Sequence, residues 1–491
     1  MAADKPRPPR EAASAGEPAA PHPAVHFHSL GCPKNQLDTE VMLGRLAVEG
    51  FTIAERLEDA DAVVINTCAF IESAREESIQ AILEMAEERR AGRLRALVVA
   101  GCLPQRYAGA LARELPEVDA FVGTGTFPRI AEILRAALEG RGRGVYVEAG
   151  RTHLYDERDP RILLGAGHSA YVKIAEGCDR VCTFCAIPGI RGAFRSRRPE
   201  SVLEEVRQLA ALGVRELNLV AQDSTSFGKD LPGRPRLAAL LRALDELELP
   251  EVPRGLPWIR ILYLYPSAVT DELVEALAAG RRLLPYVDVP LQHASDRVLR
   301  AMRRGTTRAR QERLVQKLRS AVPDLTLRTT VIVGFPGETD EDFDELLDFV
   351  RWARFDRLGV FRYSDEEGTA AAGLSEKVPR EVARERFRRL VELQTGILEE
   401  KLRARVGHVE EVLVDRVGPA GAVARLRSQA PEVDGVTHVR RSDPGVRPGD
   451  LLRVRITGSR GVDLVAEVEG VGWREPPPLP PPHPGAARPG A

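Results

Sequence analysis

Cys178, Cys182 and Cys185 stand close together in the run Glu176-Gly177-Cys178-Asp179-Arg180-Val181-Cys182-Thr183-Phe184-Cys185. Gaps of three and two residues on a short turn let their sulfurs converge on one metal centre. Iron prefers thiolate ligands, and a cubane iron–sulfur cluster normally takes four of them where this stretch supplies three. One iron is left open for another ligand. The competing readings are a structural zinc site and a disulfide loop. Closed zinc sites want four ligands, usually in paired two-residue spacings, yet no further cysteine lies downstream and the nearest upstream histidine is His168.

The other three cysteines, Cys32, Cys68 and Cys102, are 36 and 34 residues apart, one strand-helix-strand unit each. Each ends an apolar run: Val25 to Leu30 before Gly31-Cys32-Pro33-Lys34-Asn35, Ala62 to Asn66 before Thr67-Cys68, and Ala96 to Ala100 before Gly101-Cys102. Parallel strands joined by right-handed crossovers put their C-terminal ends on one sheet edge, where ligands of open α/β sheets bind. The three thiols can therefore meet in space. Buried core thiols are the ordinary alternative for any one of them. Three at the same place in successive units favour a second three-thiolate centre.

The elements behind these residues form three domains. An open parallel α/β sheet domain spans 24–150, and 151–168 mixes charge, Pro and Gly like a linker. From 169 to 401 strands near Tyr171–Ile174, Val214–Val220, Trp258–Tyr263, Tyr286–Val289, Thr326–Val333 and Arg357–Phe361 alternate with helices such as Glu200–Leu212 and Asp340–Trp352. Barrel chemistry sits at the C-terminal ends of such strands, and the 178–185 loop follows the first. Gln222 and His293 lie at the ends of the second and fourth strands, and Arg328 lies within the fifth. His293 reads equally as a polar rim residue or a catalytic one. Gly334 opens a glycine-rich turn that can approach a ligand closely. Arg191, Arg195, Arg197 and Arg198 form a basic run that is either solvated surface or a grip on a substrate carboxylate. Short strands with turns over 406–471 read as a small β-barrel.

Cys178-x-x-x-Cys182-x-x-Cys185, with Phe184 before the last cysteine, resembles the radical S-adenosylmethionine superfamily. The resemblance implies a partial (βα)6 barrel, a [4Fe-4S] cluster on these thiolates, and an open iron that chelates S-adenosylmethionine and splits it to a 5′-deoxyadenosyl radical. Phe184, Gln222, Arg328 and Gly334 become expected cofactor-binding residues. Gln222 stands where many members carry a Gly-Glu pair for the methionine amino group. The first three cysteine motifs are similar to the amino-terminal domain of methylthiotransferases, and the closing β-barrel to their TRAM module. That implies a second [4Fe-4S] cluster on Cys32, Cys68 and Cys102 whose open iron holds the sulfur to be transferred.

Within that family, Gln222-Asp223-Ser224-Thr225, Tyr263-Leu264-Tyr265-Pro266, Asp288 to Asp296 and Phe361 to Thr369 look like the branch that methylthiolates an aspartate of small-subunit ribosomal protein twelve. Ser226-Phe227 departs from the Arg-Tyr often found there. The alternative branch acts on an adenosine in tRNA and usually has a more basic closing module. From His408 to Gly470 nine arginines face ten acids. An electron carrier or a ribosome-assembly factor is the reading of another class. Ferredoxin-like carriers saturate each cluster with four protein ligands, which counts against it. The family implies an electron donor such as flavodoxin or ferredoxin and a sulfur donor.

At 491 residues, 43% hydrophobic, 29% charged and net −2, the chain reads as soluble and globular, without a global basic field for polyanions. Six cysteines without a disulfide framework fit a reducing compartment. The Ala- and Pro-rich stretch 1–23 has no apolar segment of a signal peptide and, with the Pro-rich stretch 474–491, reads as a disordered tail. With no membrane-length apolar run, a cytoplasmic protein is expected.

Overall fold

The computed structural model describes residues 22–473 apart from 142, 149, 151, 250–255, 257 and 441–444. The expected tails lie outside the described residues, save His22 and Pro23. Two compact units divide the chain, 1–398 and 399–491.

In the first unit, six strands form a wholly parallel sheet: β1 (Ala24–Ser29), β2 (Thr52–Ile53), β3 (Ala62–Thr67), β4 (Ala96–Gly101), β5 (Ala120–Val122) and β6 (Gly144–Tyr146), in the order β2-β1-β3-β4-β5-β6. Every residue of β3 and β4 is buried, the pattern of central strands covered on both faces. Helices α1 (Pro33–Val48), α2 (Glu72–Arg90), α3 (Cys102–Glu114) and α4 (Ile130–Leu138) supply the cover. Only β1, β3 and β4 were legible as strands. The others run two or three residues, too short to show a period.

The segment 151–168 carries no helix or strand, yet it is not a loose linker. Thr152 and Tyr155 are buried, and Arg161 pairs with Glu40 of α1 at 2.6 Å and with Glu205 at 2.7 Å.

A second parallel sheet then builds a partial barrel from β7 (Ser169–Lys173), with the short pair β8 (Ala175–Glu176) and β9 (Arg195–Ser196) beside it, then β10 (Glu216–Val220), β11 (Trp258–Ile261), β12 (Leu283–Asp288), β13 (Thr326–Val333) and β14 (Arg357–Arg362). Its strands run in sequence order, β7-β10-β11-β12-β13-β14, all parallel. The helices between are α5 (Ile187–Arg191), α6 (Pro199–Ala211), α7 (Leu237–Asp245), α8 (Asp271–Ala279), α9 (Asp296–Ala301), α10 (Arg308–Ala321) and α11 (Asp340–Ala353), followed by α12 (Arg380–Ala404). A continuous apolar core runs from Val172 and Leu219 through Val287 and Val331 to Phe349 and Leu390. Thr339 starts α11 with a capping box against Asp342, which explains why the acids at its start were a reliable helix signal.

The second unit is a closed five-stranded barrel, β15 (Val409–Gly418), β16 (Gly421–Leu426), β17 (Thr437–Arg440), β18 (Leu451–Arg460) and β19 (Asp463–Trp473), in the order β15-β16-β17-β19-β18. All pairs are antiparallel except β17 with β19. Arg425 is nearly fully buried and grips Asp415 through two bonds of 2.8 and 2.9 Å, so Asp415 belongs to the barrel's frame. Among the described residues no helix is long and apolar enough to cross a membrane.

Candidate active site

Strands β1, β3 and β4 are neighbours, and the backbone leaves each of them at a cysteine. Cys32 caps the start of α1, Cys68 follows β3, and Cys102 begins α3. Gly31 lies so close to Cys68 that an added Cβ would meet its Cβ at 2.8 Å and its Sγ at 3.3 Å. Asn35 braces the group: its Nδ2 donates to Leu30 O (3.2 Å) and Thr67 O (2.9 Å), and its Oδ1 accepts from Cys102 Sγ at 3.4 Å. Burial pushes the Cys102 thiol up to about 12; Arg191 pulls it back, while charge on Cys68 and Cys32 would push it further. Burial, then Cys32, also raises Cys68. Cys68 and Cys102 both feel Cys32, which sets the three thiols close together.

The second set follows β8. Cys178 N donates to Gly192 O (3.1 Å), Thr183 N to Met302 O (3.1 Å) and Cys185 N to Cys182 O (3.2 Å), which curls the loop. Donors aim at the sulfurs. Arg180 N lies 3.4 Å from Cys178 Sγ, and Arg304 Nη1 lies 3.2 Å from Cys182 Sγ. Burial pushes Cys185 up to about 12, with the Ile187 amide and Arg304 pulling down and Cys182 and Cys178 pushing up.

All six cysteines are free. Among the described residues no three His, Cys, Asp or Glu side chains converge tightly enough to hold a single metal ion. Three thiols facing a common pocket, with N–H groups pointed at sulfur, instead suit a cluster in which each thiolate takes its own iron. The donor sets fit that group and disfavour zinc.

A buried charge cluster joins the two sites. Arg191, at the end of α5, donates to Asp38 Oδ2 and Asn35 Oδ1, both at 2.6 Å, and reaches Glu176 Oε2 and Cys102 Sγ at 3.4 Å. Lys173 of β7 donates to Asp38 Oδ1 at 2.6 Å and Glu176 Oε2 at 2.7 Å. Burial alone would discharge these groups. Asp38 and Glu176 outweigh it and keep Lys173 protonated; for Glu176, Lys173 and Arg191 overcome burial and hold the carboxyl at about 2. Two acids and two bases thus cancel across the contact between the sheet domain and the barrel. A second tie is Glu366, beyond β14, which pairs with Arg75 of α2 and with Arg106 of α3 at 2.7 Å. Lys34 lies over the Tyr263 ring, 3.2 Å from its centroid.

Gln222 donates from Nε2 to Glu176 Oε1 at 2.6 Å, and its own Oε1 is buried without a donor. Arg328 donates to Asp288 at 2.8 Å and stays partly exposed. Phe184 packs on the cluster of Val298, Met302, Phe335 and Ala371.

Burial corrects two of the readings. His293 is not on the rim: it is fully buried, its Nδ1 accepts from Ser295 N at 3.0 Å, and Nε2 faces Glu338 at 3.9 Å. At Gly334, φ +74° and the space beside Ala383 of α12, 2.6 Å from an added Cβ, give packing as a further reason for glycine. Most of the basic run is not free surface. Arg191 and Arg197 are buried and paired, Arg195 donates to Thr152, and only Arg198 is exposed.

Sequence reasoning missed Arg304, Lys173, Asp38 and Glu176. Lys173 was the readable signal, a lone cation inside the apolar run Tyr171 to Ala175 that requires buried carboxylates. Arg304 follows α9 in a run of arginines that nothing distinguishes in sequence.

The barrel and its cysteine loop are those of a radical S-adenosylmethionine protein: residues 172–350 match the Radical SAM superfamily model, 24–123 match uncharacterized protein family UPF0004, and 406–468 match the TRAM domain. A radical S-adenosylmethionine methyltransferase, TsrM, from Kitasatospora setae, solved with cobalamin and a [4Fe-4S] cluster bound, shares the fold at TM-score 0.50 and 18% identity, covering 70% of this chain and 75% of its own. The chain belongs to the family of ribosomal protein uS12 methylthiotransferases RimO. It is 49% identical over 448 residues to the member from Sorangium cellulosum, covering 90% of each chain, and 46% identical to that from Geobacter sulfurreducens, covering 90% of this chain and 98% of the relative.

Proposed function

We propose that this protein replaces a hydrogen on the β-carbon of an aspartate of ribosomal protein uS12 with a methylthio group by a radical S-adenosylmethionine mechanism. Cys178, Cys182 and Cys185 are assigned one [4Fe-4S] cluster, and Cys32, Cys68 and Cys102 the other. The observation that carries the reading is the pair of three-thiol pockets on one parallel edge and one barrel mouth, joined through Arg191. An aspartate β-hydrogen is not acidic enough for a general base, so the reaction calls for a radical. When bound, the clusters and S-adenosylmethionine supply that one-electron chemistry and the sulfur.

The chain's own residues do the holding. Arg180 N and Arg304 donate to the Cys178 and Cys182 sulfurs, Asn35 and Arg191 brace Cys102, and Glu176 fixes the Gln222 amide. Gln222 Oε1, buried with no donor, is the acceptor we assign to the amino group of S-adenosylmethionine. Phe184 and Arg328 line the same barrel mouth. The closing barrel, near neutral by count, suits a basic ribosomal protein better than an RNA backbone. Glu411 is exposed there and available to such a partner, whereas Glu410 is paired with Arg405 and Asp415 with Arg425. A flavodoxin- or ferredoxin-like electron donor, a separate sulfur donor and a cytoplasmic location complete the reading.

The test offers the anaerobically reconstituted protein both purified uS12 and a tRNA carrying the isopentenyl-adenosine precursor. A mass gain of about 46 Da, methylthio replacing hydrogen, is expected on an aspartate of the protein. A gain on the RNA instead overturns the substrate assignment.

A further inference from the structure

Arg304 occupies a position that cluster binding alone does not require. It follows α9 and is nearly fully buried. Its Nη1 lies 3.2 Å from Cys182 Sγ and its Nη2 2.6 Å from Pro290 O, while its Nε is buried without a partner. Tyr265 holds it from one side: the ring centroid lies 4.3 Å from the guanidinium, and the hydroxyl donates to Arg304 O at 2.7 Å. Arg180 stacks on the same ring at 3.8 Å.

The two guanidiniums differ in one respect. Arg180 is neutralised by Asp223 at 2.6 Å, and Arg191 at the other cysteine site by Asp38 at 2.6 Å. Arg304 has no carboxylate partner among the described residues. Its partners are a sulfur, a carbonyl and a ring face, so its positive charge is uncompensated at hydrogen-bond distance from a thiolate. A hydrogen bond and a nearby cation both stabilise the more negative, reduced state of an iron–sulfur cluster, and burial strengthens both effects.

We infer that Arg304, held by Tyr265, is a positioning residue that raises the reduction potential of the cluster on Cys178, Cys182 and Cys185, bringing it within reach of a physiological reductant. The inference rests on the cluster assignment made above.

Arg304→Gln removes the charge and, being two atoms shorter, the Nη1 donor to Cys182; Arg304→Lys keeps the charge. The reconstituted holoenzyme is titrated with reductant and followed by electron paramagnetic resonance, using the signal that S-adenosylmethionine perturbs to identify this cluster. Arg304→Gln is expected to keep its iron and to lower the reduced-to-oxidised ratio at fixed potential at least tenfold, a shift of about 59 mV for one electron. Arg304→Lys should recover most of it, and Tyr265→Leu, which frees the guanidinium, should fall between. An unshifted potential in iron-loaded Arg304→Gln overturns the inference. So does iron loss in Arg304→Gln together with an unshifted Tyr265→Leu, because the arginine then serves only to build the site. A parent protein with four irons or fewer, or without a signal sensitive to S-adenosylmethionine, removes the cluster reading itself, which separates the two failures.

Discussion

His293 and Glu338 face each other in the interior of the barrel, where burial favours the uncharged form of each. Burial pushes the His293 imidazole down to about 3, and burial pushes the Glu338 carboxyl up to about 7 against the pull of Arg386. In the unfolded chain the ordinary values are 6.5 and 4.5. Between those two values the folded pair carries one proton, on Glu338, and the unfolded pair also carries one, on His293. Stability therefore gains no slope with pH from the pair in that window. Glu338→Gln leaves His293 alone. The unfolded state then binds the extra proton, and stability should rise with pH from 4.5 to 6.5 by up to about 1.4 kcal/mol per unit. Urea unfolding of parent and variant at about pH 5 and about pH 6 checks this, and a difference between them that ignores pH contradicts it. At this scale the sequence showed the six cysteines through spacing alone. It did not show burial, so His293 read equally as rim or catalytic and the arginine run as surface or substrate grip; where each side chain ends up is a tertiary outcome of which partner waits opposite.

Elements carry the cysteines through their turns. Gly101 ends β4 at φ +101°, and a Cβ there would lie 2.2 Å from Asn66 Oδ1 and 2.6 Å from Thr67 O. Asn66 cannot retreat freely, because its Nδ2 holds Asn35 O at 2.7 Å and Thr39 Oγ1 at 2.8 Å. Gly101→Ala should thus displace Cys102 and Asn35 together. Iron in the reconstituted protein is expected to fall by about half while reductive cleavage of S-adenosylmethionine survives. Full iron in a folded Gly101→Ala protein would show the turn to be dispensable. The strands flanking these turns were legible because β3 begins with the apolar run Ala62 to Ile65 and β4 is apolar throughout. Four-residue β17 was not, since its alternation of buried and exposed positions spans only two of each.

Across the whole first unit, the contact between sheet domain and barrel depends on Asp38, the one carboxylate that both Lys173 and Arg191 bind at 2.6 Å. Asp38→Ala leaves two buried cations to share Glu176, and removal of one partner of a buried ion cluster costs about 3–5 kcal/mol. A loss of that size is expected in chemical denaturation, and a change below about 1 kcal/mol would refute the role given to the cluster. Nothing in the chain order announces this contact, because Asp38 and Lys173 are 135 residues apart and only the fold makes them neighbours. The same feature acts as a ruler. Buried ion pairs add little net stability but punish a slip, since any other docking of the two halves strands a charge. The gap between the two cysteine pockets is therefore a fixed span. A substrate that has to meet both pockets must itself reach across that span.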